Sequence, residues 1–309
     1  MTSLNLEGLS VRIATHAGDV PAVSDVSLTV AGGSVHALVG ESGCGKSVLA
    51  HACLGLLPAS ARVDGRVHVT DRTGCVVDLR DDAAAARARG GVVALVPQSA
   101  ATHLTPVRTV GSQIAETAEV HGSGHAVAGL LARVGLPPNV AELYPHELSG
   151  GMSARVAVAC ALAGDPDVLV ADEPTASLDP AAAQAMTELL VDCASGGAAV
   201  LVVTHDLARV HAWADAISVM YAGRIVETGP AAAVLGDPWH DYTRALLAAL
   251  PANGLRPMPG SPPDLTALAQ HGMTDECVYH LRDPATTQSG GPTALRWTGM
   301  RAVRTRVLA

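Results

Sequence analysis

Gly40-Glu41-Ser42-Gly43-Cys44-Gly45-Lys46-Ser47 sets three glycines ahead of a lysine and a hydroxyl, between the apolar run VHALV and the helix-like segment SVLAHACLGLL. Glycines at this spacing let successive backbone N–H groups converge on an anion, the chemistry of a loop that cradles phosphates. Lys46 would neutralise the terminal phosphates and the Ser47 hydroxyl would ligate magnesium, with the contact surface running on to Val48. The pattern carries weight only when a strand precedes it and a helix follows, and both conditions are met. Lys46 is also the only lysine among 309 residues, so its place within a glycine-rich loop is informative in itself.

A second group of candidates follows downstream. The apolar run Val168-Leu169-Val170-Ala171 ends in two adjacent carboxylates, Asp172 and Glu173. Desolvating a charge is expensive, so a buried strand ending in two acids needs a partner for them. A metal held by Asp172 and a water polarised by Glu173 would supply that partner. His205 closes the next apolar run, VLVVTH, and Gln98 follows VVALVP. Ligands of parallel sheets sit beyond the C-terminal ends of the strands, which places both residues at the address of a bound phosphate.

The elements that must position these residues read as α/β. Residues 4–39 alternate short apolar segments with glycine-rich turns, a strand-rich opening. A helix should run from Lys46 through SVLAHACLGLL and stop before Pro58. VDGRVHV and CVVDL read as a hairpin, DDAAAARARG as a short helix ended by Gly90 and Gly91, and residues 110 to about 145 as broken helices. A helix after Ser149-Gly150-Gly151, the strand DVLVAD, a helix through AAAQAMTELLVDCA, the strand AVLVVTH, a helix through LARVHAWA and the strands AISVMYA and RIVETG complete the series. Strands alternating with helices of ten or more residues imply a parallel sheet covered on both faces. Near residue 251 the composition turns rich in Pro and Gly, PANGLRPMPGSPPDL, and a domain boundary is expected there.

Composition excludes several classes. Hydrophobic residues make up 49% and charged residues 16%, a chain that can bury a core. The formal charge of -9, with a single lysine, argues against a nucleic-acid surface. MTSLNLEGLSVRI does not read as a signal peptide, and the apolar runs VAVACALAG and AAVLVVTH are too short to span a bilayer, so a cytoplasmic location is expected. The six cysteines form no CxxC pair, which suggests neither a disulfide framework nor a zinc site.

With Leu148-Ser149-Gly150-Gly151-Met152 added, residues 1 to about 250 resemble the ABC ATPase family, whose motifs occur here once each and in the family's order. The resemblance identifies Gly40 to Ser47 with the Walker A loop, Gln98 with the Q-loop glutamine and Asp172 and Glu173 with the Walker B pair. It further matches Ser177-Leu178-Asp179 with the D-loop and His205 with the switch histidine. It implies a P-loop NTPase of ABC type: a mostly parallel sheet core, an antiparallel β part, a helical subdomain inserted at about 100–160, and a small C-terminal extension over 251–309. It implies ATP and Mg²⁺ as ligands, with Ser47, Gln98 and Asp172 at the metal. It also implies a second ATPase subunit, whose bound ATP would be capped by Ser149, Gly150 and Gly151 and approached by Asp179.

A narrower similarity, to the oligopeptide, dipeptide and nickel importer ATPases, rests on VGESGCGKSV, TVGSQIAE, YPHELSGGM, DYTRALLAALP and PGSPPDL. It implies a subunit peripheral to the cytoplasmic face of the membrane that powers peptide import through two permease subunits supplied by an extracytoplasmic solute-binding protein. Nickel or a metal–chelator complex is the alternative cargo, and a soluble ABC ATPase without a membrane partner is the more distant one. Two departures stand out. Val11-Arg12-Ile13-Ala14-Thr15-His16 lacks the aromatic ring that the family stacks on adenine, which leaves Ile13 or His16 to cover the base. The tail's Cys277-Val278-Tyr279-His280-Leu281-Arg282-Asp283 keeps the first cysteine and the arginine of an iron–sulfur motif but has Asp283 in place of the second cysteine. Ser289 and Thr305 stand where later ligands would fall. No iron–sulfur cluster is expected, and the tail should instead pack around Cys277, Tyr279 and Trp297.

Overall fold

The computed structural model describes residues 1–307 except 17, 177, 272, 274–275, 284–285 and 287–290. In chain order its strands and helices are β1 (Ser3–Thr15), β2 (Gly18–Ala31), β3 (Ser34–Val39), α1 (Lys46–Ala52), β4 (Ala61–Thr70), β5 (Val76–Asp78), α2 (Asp82–Ala88), β6 (Val93–Val96), α3 (Ala100–His103), α4 (Val110–His121), α5 (Val127–Arg133) and α6 (Gly150–Leu162). They continue as β7 (Val168–Asp172), α7 (Pro180–Ser195), β8 (Ala199–Thr204), α8 (Leu207–Val210), β9 (Ala216–Tyr221), β10 (Arg224–Pro230), α9 (Ala231–Gly236), α10 (Asp241–Ala248), α11 (Leu265–Gln270), α12 (Tyr279–Arg282), β11 (Thr293–Thr298) and β12 (Arg301–Arg306). These form two compact units: Met1–Leu4 with Thr29–Val35 and His68–Val203, and Asn5–Leu28 with His36–Val67 and Thr204–Ala309.

In the first unit β6, β7 and β8 run parallel, with Val93 opposite Val168 and Asp172 opposite Val203. All five residues of β7 and all six of β8 are buried. That explains their continuous Val/Leu/Ala composition, because a strand covered on both faces has no polar side to alternate with. The helices α3 to α6 lie between β6 and β7 in sequence. The β4–β5 hairpin occurs as expected, with His68 opposite Asp78. Arg72 in its turn donates to Asp167 at 2.5 Å, to Asp165 Oδ2 at 2.6 Å and to the Asp165 carbonyl at 2.7 Å. This fork ties the hairpin to the residues that lead into β7.

In the second unit β3 runs parallel to β9, His36 opposite Ala216 and Val39 opposite Val219. β9 and β10 are antiparallel, and the tail hairpin adds β12 to β10 and β11 to β12. One core joins Ala37 and Val39 of β3 and Val219 and Tyr221 of β9 to Tyr242, Cys277, Val278 and Tyr279. Residues on either side of position 251 therefore share a hydrophobic cluster. Glu227 on β10, wholly buried, fastens the tail: it accepts from Trp239 N at 2.9 Å, His240 N at 3.0 Å and Arg301 of β12 at 2.9 Å. Arg301 also lies 3.7 Å over the Trp239 ring.

Three sequence expectations need correcting. The helix after Lys46 ends at Ala52, because Leu54 and Leu56 both donate back to the His51 carbonyl and Gly55 takes a left-handed φ of 64°. The segment LARVHAWA is helical only over Leu207–Val210 and continues as tight turns, with Ala212 bonded to Arg209 and Trp213 to Val210. Trp297 is 62% exposed on β11 and takes no part in the tail's core, where Tyr221 and Tyr242 stand beside Cys277 and Tyr279 instead. No helix among the described residues is long and apolar enough to cross a membrane.

Candidate active site

β3 delivers the chain to Gly40 and α1 takes it up at Lys46, so the loop is strung between a buried strand and a helix of the same unit. Two glycines are sterically required. A Cβ on Gly40, φ 153°, would lie 2.2 Å from the Met220 carbonyl, and one on Gly45, φ 105°, would lie 2.0 Å from the Ala22 carbonyl. Nothing stands within 4 Å of a Cβ on Gly43, where only its φ of 81° favours glycine. The loop is thus pressed against β2 and β9 on one side, while Ser42 and Gly43 are exposed on the other.

Lys46 is buried, 6% exposed, and its ammonium donates to the Gly40 and Glu41 carbonyls at 2.8 and 2.9 Å. The curled loop therefore already holds a cation at its centre, surrounded by backbone that can also present N–H groups. Ser47 and Val48 are half-buried on the first turn of α1. Burial pushes the Cys44 thiol up, with Lys46 pulling the other way, so this cysteine packs as a neutral side chain. Glu41 is held at three points: its N–H donates to the Tyr242 hydroxyl at 3.0 Å, its carbonyl accepts from Lys46, and its carboxylate accepts two bonds from Arg282.

In the other unit Asp172 ends β7 at 2% exposure and Glu173 follows at 7%. Glu173 has φ 50°, left-handed backbone that non-glycine residues rarely adopt, and its N–H is bonded to the Val203 carbonyl at 2.9 Å. Strain of this kind persists only where neighbours enforce it, and it clusters at sites where a side chain must be aimed. Ser149 is the N-cap of α6, its hydroxyl accepting from Met152 N at 3.2 Å, and Ser149 and Gly150 are exposed. The first turn of that 13-residue helix thus offers backbone N–H groups and a positive dipole end to solvent.

Asp179 caps α7 by accepting from Ala181 and Ala182 N at 3.0 and 2.9 Å. A Cβ on Gly151 would stand 3.6 Å from Ala182 Cβ, so the first turns of α6 and α7 are neighbours. Gln98 is exposed in the turn after β6. His205 follows β8 and is exposed, in the unit that holds the glycine loop, and its carbonyl accepts from Leu207 N. Ser177 and Ser289 lie outside the described residues.

Sequence reasoning missed the loop's own partners. Arg282 and Tyr242 lie in the segments CVYHLRD and DYTRALLAALP, and nothing in their spacing ties either to Glu41. The signal available was scarcity: the chain has four tyrosines and no phenylalanine, and three of the tyrosines meet here. Ring centroids are 4.4 Å apart for Tyr221 and Tyr242 and 5.6 Å for each of them with Tyr279.

A glycine loop closing around a lysine, an acidic pair at the end of a buried parallel strand, and a serine-capped LSGG helix are the marks of the ABC class. The chain belongs to the ABC transporter family: the family's model matches residues 23–176, and a second, the oligopeptide/dipeptide transporter C-terminal region, matches residues 226–289. It is 42% identical over 282 residues to the oligopeptide transport ATP-binding protein OppD of Mycobacterium tuberculosis, covering 86% of this chain and 46% of that protein. It therefore spans about half the length of that relative. Over 301 residues it is 38% identical to the dipeptide transport ATP-binding protein DppD of Escherichia coli, covering 93% of this chain and 90% of that one. A solved ATP-binding subunit of an ABC transporter superposes with a TM-score of 0.62 at 26% identity, covering 75% of this chain and 91% of that chain. A dimeric ATP-binding cassette bound to ADP and phosphate gives 0.65 at 24% identity, over 74% of this chain and 98% of that chain, a likeness of fold.

Proposed function

We propose that this chain is the ATP-hydrolysing subunit of a peptide importer, peripheral to the cytoplasmic face of the membrane. The observation that carries the reading is the pairing of the two family matches on one chain, the nucleotide-binding model followed by the oligopeptide/dipeptide transporter region. The names of its relatives, oligopeptide and dipeptide transport ATP-binding proteins, favour peptides over nickel or a metal–chelator complex.

Gly40 to Val48 would bind the phosphates, with Lys46 exchanging its bonds to loop carbonyls for bonds to phosphate oxygens. Ser47, Gln98 and Asp172, each with an oxygen donor of the kind magnesium takes, would hold that ion. Bound there, the ion would supply charge neutralisation at the phosphates. Glu173 would polarise the attacking water, and His205 would hold the terminal phosphate. Ser149, Gly150, Gly151 and Asp179 would serve the nucleotide of a second ATPase subunit. Two permeases and an extracytoplasmic solute-binding protein complete the assembly.

The tail does not fit the iron–sulfur cluster of related extensions. Cys277 is the last cysteine of the chain, and its buried thiol lies 3.3 Å from His240 Nε2. One thiolate cannot hold a four-iron cluster of the usual kind.

Isolating the chain with its associated proteins from membranes, identifying them by mass and assaying ATP turnover tests the proposal. Recovery of two permeases and a second ATPase, with turnover stimulated by peptide-loaded binding protein, is the expected result. A permease-free species with its own ATPase activity would refute it.

A further inference from the structure

We propose that the C-terminal extension braces the phosphate loop, with Arg282 as a positioning residue for nucleotide binding that acts through Glu41. The inference rests on the ATPase reading for what the loop binds, and on geometry within one compact unit for how the loop is held.

Arg282 lies 241 residues after Glu41, yet both of its terminal nitrogens reach the Glu41 carboxylate, NH2 to Oε1 at 3.1 Å and NH1 to Oε2. The pair is largely removed from water, at 5% side-chain exposure for the arginine and 23% for the glutamate. Bidentate charge pairs fix orientation as well as distance, because the planar guanidinium matches the carboxylate only in one plane. The arginine is itself oriented from the tail: its Nε donates to the Pro259 carbonyl at 2.5 Å. A Cβ on Gly260, φ 57°, would come within 2.9 Å of the Arg282 carbonyl, so the proline-rich segment packs directly on this residue.

The other end of the brace is the loop backbone. Glu41's carbonyl is one of the two that hold the Lys46 ammonium, and its N–H is bonded to Tyr242. Displacing the Glu41 carboxylate therefore displaces a carbonyl that sets where Lys46 rests. Behind the pair stand Tyr221, Tyr242 and Tyr279, one each from β9, α10 and α12. Their rings join the loop's own strand and the tail in one cluster. A tail that only decorated the core would not need a charged side chain carried into the nucleotide loop. Because the two sites are linked, nucleotide binding must tighten the tail to the same degree that the tail tightens nucleotide binding.

The test uses the full chain and a fluorescent adenine nucleotide with Mg²⁺. Arg282→Gln and Glu41→Gln are each expected to weaken binding roughly tenfold, the scale of a largely buried charge pair. The double variant, which leaves no lone buried charge, should be no worse than the weaker-binding single variant. Arg282→Lys, which keeps the charge without the fork, should fall between wild type and Arg282→Gln. In wild type, nucleotide should slow hydrogen exchange over residues 276–283, and in Arg282→Gln it should not. Losses that simply add in the double variant, or affinities within twofold of wild type in both single variants, would overturn the brace while leaving the ATPase reading standing. Failure of wild type and variants alike to bind the nucleotide would overturn both.

Discussion

The left-handed backbone at Glu173 makes a measurable claim that separates stability from chemistry. With φ at 50° and its N–H bonded to Val203, the residue holds a conformation that costs an ordinary L-residue about 1–2 kcal/mol. Replacement by alanine and by glycine removes the carboxylate equally, but only glycine relaxes the backbone. Glycine's greater freedom in the unfolded chain offsets about 0.5–1 kcal/mol of that relief. The Gly variant should therefore be more stable than the Ala variant by about 0.5–1 kcal/mol, a rise of roughly 1–3 °C in Tm for a chain of this size. Urea titration and calorimetry on the two proteins supply the comparison, and both should have lost ATP turnover to the same extent. An Ala variant as stable as the Gly variant would show that the backbone at Glu173 is unstrained and would refute the reasoning.

Gly45→Ala should abolish nucleotide binding and lower stability by more than about 2 kcal/mol, since its Cβ would meet the Ala22 carbonyl at 2.0 Å. Gly43→Ala, with open space around it, should cost only about 1 kcal/mol of backbone strain; equal losses in the two melting curves would contradict the assignment of the close approach. His36 and His240 are both held down to about 4 by burial, against an ordinary 6.5. Between those values the unfolded chain binds protons that the folded one refuses, so stability should fall as pH falls, by roughly 1.4 kcal/mol per unit for each histidine. Denaturation midpoints measured from pH 7 to pH 4.5 should show that decline, and a flat profile would mean that neither histidine stays neutral in the fold.

What could be read from the sequence was what depends on local spacing. The glycines of the loop from Gly40 to Ser47, the acidic end of VLVAD and the serine ahead of α6 are short-range patterns whose physics is complete within eight residues. Helix lengths were less legible, because hydrophobic periodicity continues past Ala52 and Val210 while the backbone has already closed into turns. Asp179 shows a different limit: a motif match assigns it to nucleotide, whereas its carboxylate in the fold caps α7. The Arg282–Glu41 pair was invisible because 241 residues separate its members and only the folded tail brings them together. Trp297 misled because a large aromatic side chain ordinarily marks a core, whereas on the edge strand β11 it faces outward.

The most direct test of the central claim is ATP turnover by the assembled complex carrying Glu173→Gln, a change that keeps the side chain's shape and removes its charge. Turnover should fall by at least about 100-fold, the range lost with a general base, while ATP-bound ATPase dimers accumulate. Turnover at the wild-type rate in that variant would contradict it.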